Sequence, residues 1–248
     1  MAGGFITGAG YLFKGFKMLS QPGLRRFIVV PLTLNIVLFS LLIWQGFGWI
    51  DQAVAYGLSW IPDWLSFLSW LMWPLLFLTM MILVFYTFSI VANLIASPFN
   101  GLLSEKTEAQ FPPYAAASPL GLTGFLAIVP HSLSREGSKL LYFLPRALVL
   151  LVLTLIPGIN VIAIPVWYLF SAWFLAIQYC DYPTDNHNIS VPELRALLGK
   201  RRLCSFGFGS ITLLFTMIPI VNLVVIPAAV IGATLFWMEQ LKELAGSE

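Results

Sequence analysis

Two adjacent arginines follow a glycine just ahead of the first long apolar stretch, and these residues could hold an anion. The segment reads Gly23-Leu24-Arg25-Arg26. A helix that begins here offers free backbone N–H groups and a partial positive charge, and glycine lets a ligand approach the backbone closely. Guanidinium groups donate paired hydrogen bonds to tetrahedral oxyanions. The segment therefore indicates a sulfate or phosphate site. The alternative is that Arg25 and Arg26 only anchor the helix and set its orientation.

Neutral polar side chains inside the apolar stretches form a second candidate group. They can line a wet path for an anion, or they can join helices to one another, which is their commoner use. The asparagines among them are the candidate pathway residues: Asn35, Asn93, Asn160 and Asn222.

No cofactor, metal site or catalytic centre is expected. The chain has no phosphate-binding loop of the G-x-x-x-x-G-K-[ST] type and no visible nucleophile–base pair. The segment 181–188 gathers two carboxylates and His187, but it lacks a set ligand spacing and is interpreted as a solvated loop. Arg135, Glu136 and Lys139 are interpreted as a solvent-exposed helix face.

The composition places the elements that carry these residues in a membrane. The chain has 248 residues, of which 59% are hydrophobic and 10% charged, with a mean hydropathy of +0.88. Soluble domains average about 25% charged residues, so the apolar excess has to face lipid. Four tracts carry no charged residue or histidine and are long enough to span a bilayer as helices: Phe27–Ile50, Trp64–Ser104, Ala147–Cys180 and Ser205–Met238.

The first two tracts predict full spans. We expect an N-terminal interfacial helix in 1–22, a first span at 24–49, an acidic linker at 51–63, and a second span with its extension at 64–104. Residues 105–146 are mixed in character and predict a helical segment on the cytoplasmic side.

The last two tracts contain an internal repeat. The stretch from Thr154 to Pro165 and the stretch from Thr216 to Pro227 share Thr, Ile, Pro, Asn, Ile and Pro at equivalent positions. The first Pro and the Asn of each copy favour a turn. We therefore predict two half-membrane re-entrant helical hairpins, at 147–180 and 205–238. The alternative is one kinked full span in each tract.

The basic residues favour the hairpins. With re-entrant hairpins, all 13 Lys and Arg residues lie on one side of the membrane, which the positive-inside rule makes the cytoplasm. With kinked full spans, the basic residues of 195–202 would face outward. The predicted fold is an all-α integral membrane protein with two long transmembrane helices, two re-entrant hairpins and an N-terminal interfacial helix.

The order of several short motifs resembles the CysZ family of sulfate permeases, and the resemblance covers residues 23 to about 230. The motifs are Gly23-Leu24-Arg25-Arg26-Phe27 with Pro31, Ser97-Pro98-Phe99-Asn100 with Leu103 and Glu105, Gln178-Tyr179-Cys180-Asp181-Tyr182-Pro183 with Asn186, and Phe206-Gly207-Phe208-Gly209.

This resemblance implies sulfate uptake across the bacterial inner membrane for cysteine synthesis, by an oligomer of the same helical fold. It also implies sulfate binding at Gly23, Leu24, Arg25 and Arg26. We expect a channel-like homo-oligomer that takes sulfate, with sulfite or related oxyanions as further substrates, and no nucleic-acid partner. The alternatives are a sulfate symporter coupled to H⁺ or Na⁺ and a membrane scaffold that transports nothing.

Overall fold

The computed structural model describes residues 4–21, 23–59, 69–112 and 122–246, and these ranges are helical, with no strand. This confirms the predicted all-α class for the described residues. The helices are α1 (Phe5–Met18), α2 (Arg26–Ser59), α3 (Ser69–Glu108), α4 (Leu122–Leu155), α5 (Asn160–Asn186), α6 (Val191–Lys200), α7 (Arg202–Thr216) and α8 (Pro219–Phe236). A π-helical segment (Trp237–Leu241) continues α8 into α9 (Lys242–Ala245).

Residues 29–96 form one of two compact units. The unit contains most of α2 and the first part of α3, and it presents apolar side chains to the outside, such as Trp44 at 74% exposure. The hydroxyls of Thr33, Ser40 and Thr79 donate to backbone carbonyls four residues earlier. These bonds satisfy the hydroxyls without water, which suits a surface in contact with lipid.

The helix α2 is longer than the span expected at 24–49. It runs to Ser59, so the first nine residues of the linker expected at 51–63 are helical, and residues 60–63 lie outside the described ranges. The segment expected to link the two spans thus begins as a continuation of α2. The acidic Asp51 does not end a helix, and the stretch contains no proline to break it.

The second unit comprises residues 1–28 and 97–248, and in it α1 packs tightly against α7 and α8. Glycines make the approach possible, since a Cβ on Gly8 would lie 1.9 Å from the carbonyl oxygen of Cys204. A Cβ on Gly207 would lie 2.0 Å from the carbonyl oxygen of Phe5. Small residues at helix contacts let backbones pack closely in membrane proteins. The N-terminal helix is therefore built into this unit.

The first repeat forms a helical hairpin. The helices α4 and α5 are separated by residues 156–159, where Gly158 has a φ of +85°. Near this turn Trp167 Nε1 donates to Thr154 Oγ1 at 3.0 Å, and further along Phe143 and Phe174 pack with ring centroids 4.6 Å apart. The pair that lies further from the turn on α4 also lies further from it on α5, so the two helices run antiparallel.

The first arm of this hairpin is longer than predicted. The hairpin expected at 147–180 begins inside α4, a helix of 34 residues that runs from Leu122 to Leu155. Pro130 and Pro145 lie inside this helix without ending it. Prolines are tolerated in such helices when neighbouring helices satisfy the freed backbone groups.

The second repeat breaks at the corresponding place. The helix α7 ends at Thr216, and α8 begins at Pro219. Proline is tolerated at the first position of a helix because the N–H that it lacks would have no partner within the helix there. The rings of Phe208 and Phe236 lie 6.2 Å apart across the two helices. The depth to which either pair of helices enters a membrane stays a prediction.

Candidate functional site

The predicted anion-binding segment lies in the turn between α1 and α2. Gly23 adopts the left-handed conformation with a φ of +95°, and the space around the position of a Cβ is open, with no heavy atom within 4 Å. Glycine reaches this conformation without steric cost. The turn ends where α2 begins at Arg26, so Gly23, Leu24 and Arg25 stand directly before a helix N-terminus, as the sequence predicts.

The side chains of this turn point in different directions. Leu24 is fully buried and belongs to the apolar core of its unit. Arg25 is exposed, and its Nε donates to the carbonyl oxygen of Ser20 at 3.1 Å. The Arg26 side chain lies outside the described part of the structure. Leu24 therefore anchors the turn, and Arg25 leaves its terminal guanidinium nitrogens on the surface.

Two of the four candidate pathway asparagines begin helices. Asn160 is the first residue of α5 and is exposed, while Asn222 lies in the first turn of α8 and is half-buried. Asn35 and Asn93 lie in α2 and α3, and their side chains fall outside the description. The assignment of these four residues to a pathway stays a prediction.

A buried group of charges joins α4 to α5, and we call it the polar junction. Its central members are Arg135, Lys139, Asp181 and Asp185. Arg135 forms an ion pair with Asp181 and lies 3.2 Å from Asp185, and Lys139 Nζ lies 3.2 Å from Asp181 Oδ2. Lys139 is 1% exposed and Asp181 is 2% exposed. The interpretation of 135–139 as a solvent-exposed face is therefore wrong, and so is that of Asp181 in a solvated loop, because α5 continues to Asn186.

Polar side chains from the neighbouring helices complete the polar junction. Glu136 Oε1 accepts from Lys139 Nζ at 2.7 Å and from Ser97 Oγ at 3.1 Å, and Gln178 donates to the same carboxylate. Each buried charge thus has a partner of opposite charge or a hydrogen bond, which is the condition for keeping charges out of water.

Tyr182, the residue after Asp181, connects α3 to the polar junction. The hydroxyl of Tyr182 accepts from Asn100 Nδ2 at 3.2 Å, and Lys139 Nζ lies 5.1 Å from the centre of the Tyr182 ring. Both tyrosine and asparagine are buried. The C-terminal part of α3 is thereby fixed against α4 and α5.

The polar junction contains a cavity of about 70 Å³. The basic and acidic residues that line it are Arg135 and three acids, Glu105, Asp181 and Asp185. Burial, and to a lesser extent the charge of Glu108, raises the pKa of the Glu105 carboxyl, with Lys106 acting in the opposite direction. A cavity with more carboxylates than cations repels an oxyanion, so this is not the place where a doubly charged anion would bind.

Both histidines of the chain pair with carboxylates at the edge of this region. His131 Nε2 lies 2.8 Å from Asp185 Oδ1, and His187 Nε2 lies 2.9 Å from Glu108 Oε2. The two pairs tie the C-terminal end of α5 to α4 on one side and to the end of α3 on the other.

The spacing of the charged residues in the sequence is a pattern that indicates the polar junction. Arg135 and Lys139 are four residues apart, as are Asp181 and Asp185, so each pair lies on one face of its helix. Complementary faces on the two arms of a hairpin indicate a contact. The motifs 97–100 and 178–183 also meet here, and both belong to the resemblance already described.

The described part of the chain contains four stretches of helix long and apolar enough to cross a membrane: Leu32–Gly57, Pro130–Leu155, Asn160–Asn186 and Val224–Ala245. With these four apolar stretches, the fold defines a multi-pass, all-helical membrane protein.

Comparison with known proteins identifies the family. A family model described as "Sulfate transporter CysZ/Etoposide-induced protein 2.4" matches residues 11–227. A protein named "Sulfate transporter CysZ" from Pseudomonas aeruginosa strain LESB58 is 48% identical over 250 residues, covering 97% of this chain and 98% of the relative. The protein of the same name from P. aeruginosa strain PAO1 gives the same values, and that from Pseudomonas paraeruginosa strain PA7 is 46% identical. The chain belongs to the Sulfate transporter CysZ/Etoposide-induced protein 2.4 family.

Proposed function

We propose that this protein takes up sulfate across the bacterial inner membrane and supplies cysteine synthesis. The observation that carries the proposal is the 48% identity, over 97% of the chain, to a protein named as a sulfate transporter. The similarity therefore covers nearly the whole chain and is not confined to one segment of it.

The proposed sulfate site is the turn Gly23-Leu24-Arg25-Arg26. Three features support it: the left-handed Gly23 with open space beside it, the exposed Arg25, and the start of α2 at Arg26. A tetrahedral dianion at this point would meet the positive end of the helix and two guanidinium groups. Leu24, buried in the core, keeps the turn in place.

We propose that transport is channel-like and that subunits of a homo-oligomer share the pathway. Two spans and two hairpins offer too few helices to enclose a polar path within one protomer. Sulfate would pass from the arginine pair along neutral polar groups, with Asn35, Asn93, Asn160 and Asn222 as the candidates. Flux would then follow the electrochemical gradient and the consumption of sulfate inside the cell.

A sulfate symporter is the second candidate, and one observation favours it. Ionisable residues inside helices of spanning length are unusual and often carry protons or ions, and Lys139 and Asp181 lie in such helices. Against this, both residues are paired with opposite charges and hydrogen bonds. A closed network of this kind serves structure without any exchange of protons.

Sulfate uptake into proteoliposomes tests the proposal. Liposomes that contain the purified protein should take up radiolabelled sulfate without an imposed H⁺ or Na⁺ gradient. Added sulfite should reduce this uptake by competition. Uptake only in the presence of an ion gradient would favour the symporter, and no uptake in either condition would favour a membrane scaffold.

Substitutions in the turn test the site. Arg25→Ala with Arg26→Ala should abolish sulfate binding while the protein remains folded, whereas Lys17→Ala with Lys242→Ala, which removes two cations elsewhere, should leave binding unchanged. Gly23→Ala should weaken binding by on the order of tenfold, because it disturbs a turn that presents charge-assisted hydrogen bonds. Unchanged sulfate affinity in the double arginine variant would remove the site assignment without touching the transport assignment.

A further inference from the structure

An open groove lies between α5, α6 and α7, and we call it the basic groove. It encloses about 620 Å³ and contains three cations, Arg195, Lys200 and Arg202, with no acid among its described lining residues. Glu193, the acid of α6, stands in the first turn of that helix, whereas the cations stand in later turns and at the start of α7. The remaining lining residues are Trp173, Ala196, Gly199 and Phe206.

The arginines of this region are held in place. The guanidinium of Arg195 lies 4.1 Å from the centre of the Tyr142 ring, and that of Arg146 lies 4.0 Å from the same ring. Arg202 Nε donates to the carbonyl oxygen of Gly199 at 3.2 Å. Arginine stacked on an aromatic ring keeps its outward N–H donors free for a ligand.

The wall of the basic groove is aromatic. The rings of Trp173 and Phe206 pack with centroids 5.4 Å apart, and both residues line the groove. Tryptophan is common at the level of lipid headgroups, because its ring is amphipathic. The groove thus combines an apolar wall with cations at its rim.

The surface beside the basic groove is apolar and exposed. Leu203, directly after Arg202, is 66% exposed, and Leu141, directly before Tyr142, is 77% exposed. On α5, Leu169 lies one turn before Trp173 and is also exposed. Leucines exposed in this way on a membrane protein contact acyl chains.

We propose that the basic groove binds the phosphate headgroup of an anionic phospholipid. The cations match a phosphodiester, the aromatic wall packs against the glycerol and the first acyl carbons, and the exposed leucines receive the chains. Basic pockets between membrane helices on the cytoplasmic side are a recurrent place for anionic headgroups. A free oxyanion would use the cations but would gain nothing from the apolar wall, so the combination favours the lipid. The groove is separate from the turn at Gly23, and this proposal does not rest on the transport assignment.

Native mass spectrometry of the detergent-purified protein tests the proposal. Dioleoylphosphatidylglycerol and dioleoylphosphatidylcholine, which share their acyl chains, are titrated onto the protein separately. The phosphatidylglycerol should bind more tightly, and Arg195→Gln with Arg202→Gln should weaken it by about fivefold for each cation removed. The matched control Lys17→Gln with Lys242→Gln removes two cations elsewhere and should leave the affinity unchanged.

A second variant separates binding from folding. Lys200→Gln with Arg202→Gln leaves the stacking of Arg195 on Tyr142 intact. It should lose phosphatidylglycerol affinity to the same extent while the protein still melts in a single cooperative transition. The proposal is overturned if either groove variant binds phosphatidylglycerol like the unchanged protein, if the control loses as much, or if the two lipids bind equally. Displacement of the lipid by millimolar sulfate would also overturn it, since the groove would then be a site for free oxyanions.

Discussion

Lys139 Nζ lies 3.2 Å from Asp181 Oδ2, and the lysine is 1% exposed. This contact joins the two arms of a helical hairpin through full charges at a place from which water is largely excluded. The desolvation cost of buried ions is offset only when each has a partner and further hydrogen bonds. Lys139 meets that condition through Glu136 as well, at 2.7 Å.

Removal of the lysine charge should therefore destabilise the fold. Lys139→Met keeps most of the side-chain volume but leaves Glu136 and Asp181 buried without their shared cation. We expect a loss of about 3–5 kcal/mol in the free energy of unfolding, measured by denaturation in mild detergent. Lys17→Met removes an exposed lysine and should change stability by less than about 0.5 kcal/mol. Equal stability of the two variants would show that the ion pair contributes nothing.

The contact between α1 and α7 gives a second prediction. A Cβ on Gly207 would lie 2.0 Å from the backbone carbonyl oxygen of Phe5, and backbone cannot move aside as a side chain can. Gly207→Ala should lower the melting temperature by several degrees, because overpacking costs about 1–3 kcal/mol or more. Gly10→Ala makes the same chemical change inside α1, where nothing lies within 4 Å, and it should be neutral or stabilising by up to about 1 kcal/mol. A stable Gly207→Ala variant would mean that the two helices are further apart than described.

The raised pKa of Glu105 predicts a dependence of stability on pH. Because burial raises this pKa above the ordinary value of 4.5, the folded state favours the protonated carboxyl. The stabilising contribution is complete below pH 4.5 and is lost as the pH rises through the folded-state pKa. Glu105→Gln keeps a neutral side chain of the same shape at every pH.

The measurement is the difference in melting temperature between the unchanged protein and Glu105→Gln across pH 4 to 7. The melting temperature of the glutamine variant should rise relative to that of the unchanged protein as the pH rises. A difference that does not change with pH would contradict the role given to burial at Glu105.

The sequence predicted the helical class and the position of both breaks, because long apolar tracts can only be helices in lipid and proline with asparagine favours a turn. The polar junction was missed because charges such as Arg135 and Asp181 are most often solvated, and one sequence does not show which helix faces meet. The extension of α2 through Asp51 was missed for a related reason, since a charge marks the end of an apolar tract but not the end of a helix. The turn at Gly23 was found because its residues are neighbours in sequence.

Cysteine labelling tests the topology on which the predicted hairpins depend. The native thiols of Cys180 and Cys204 are buried, so a membrane-impermeant maleimide should leave the unchanged protein unlabelled. Single cysteines at the exposed positions Gly4, Gln52 and Ala196 then report the side of the membrane.

In intact cells, only Gln52→Cys should react, because the positive-inside rule holds Gly4→Cys and Ala196→Cys in the cytoplasm with the basic residues of 195–202. All three should react after the membrane is permeabilised, which controls for access. A reaction of Ala196→Cys in intact cells, with Gly4→Cys protected, requires the segment between α5 and α7 to lie outside the cell. The N-terminus and the segment between α5 and α7 would then lie on opposite sides of the membrane. The predicted re-entrant arrangement places both on the cytoplasmic side, so it would be wrong.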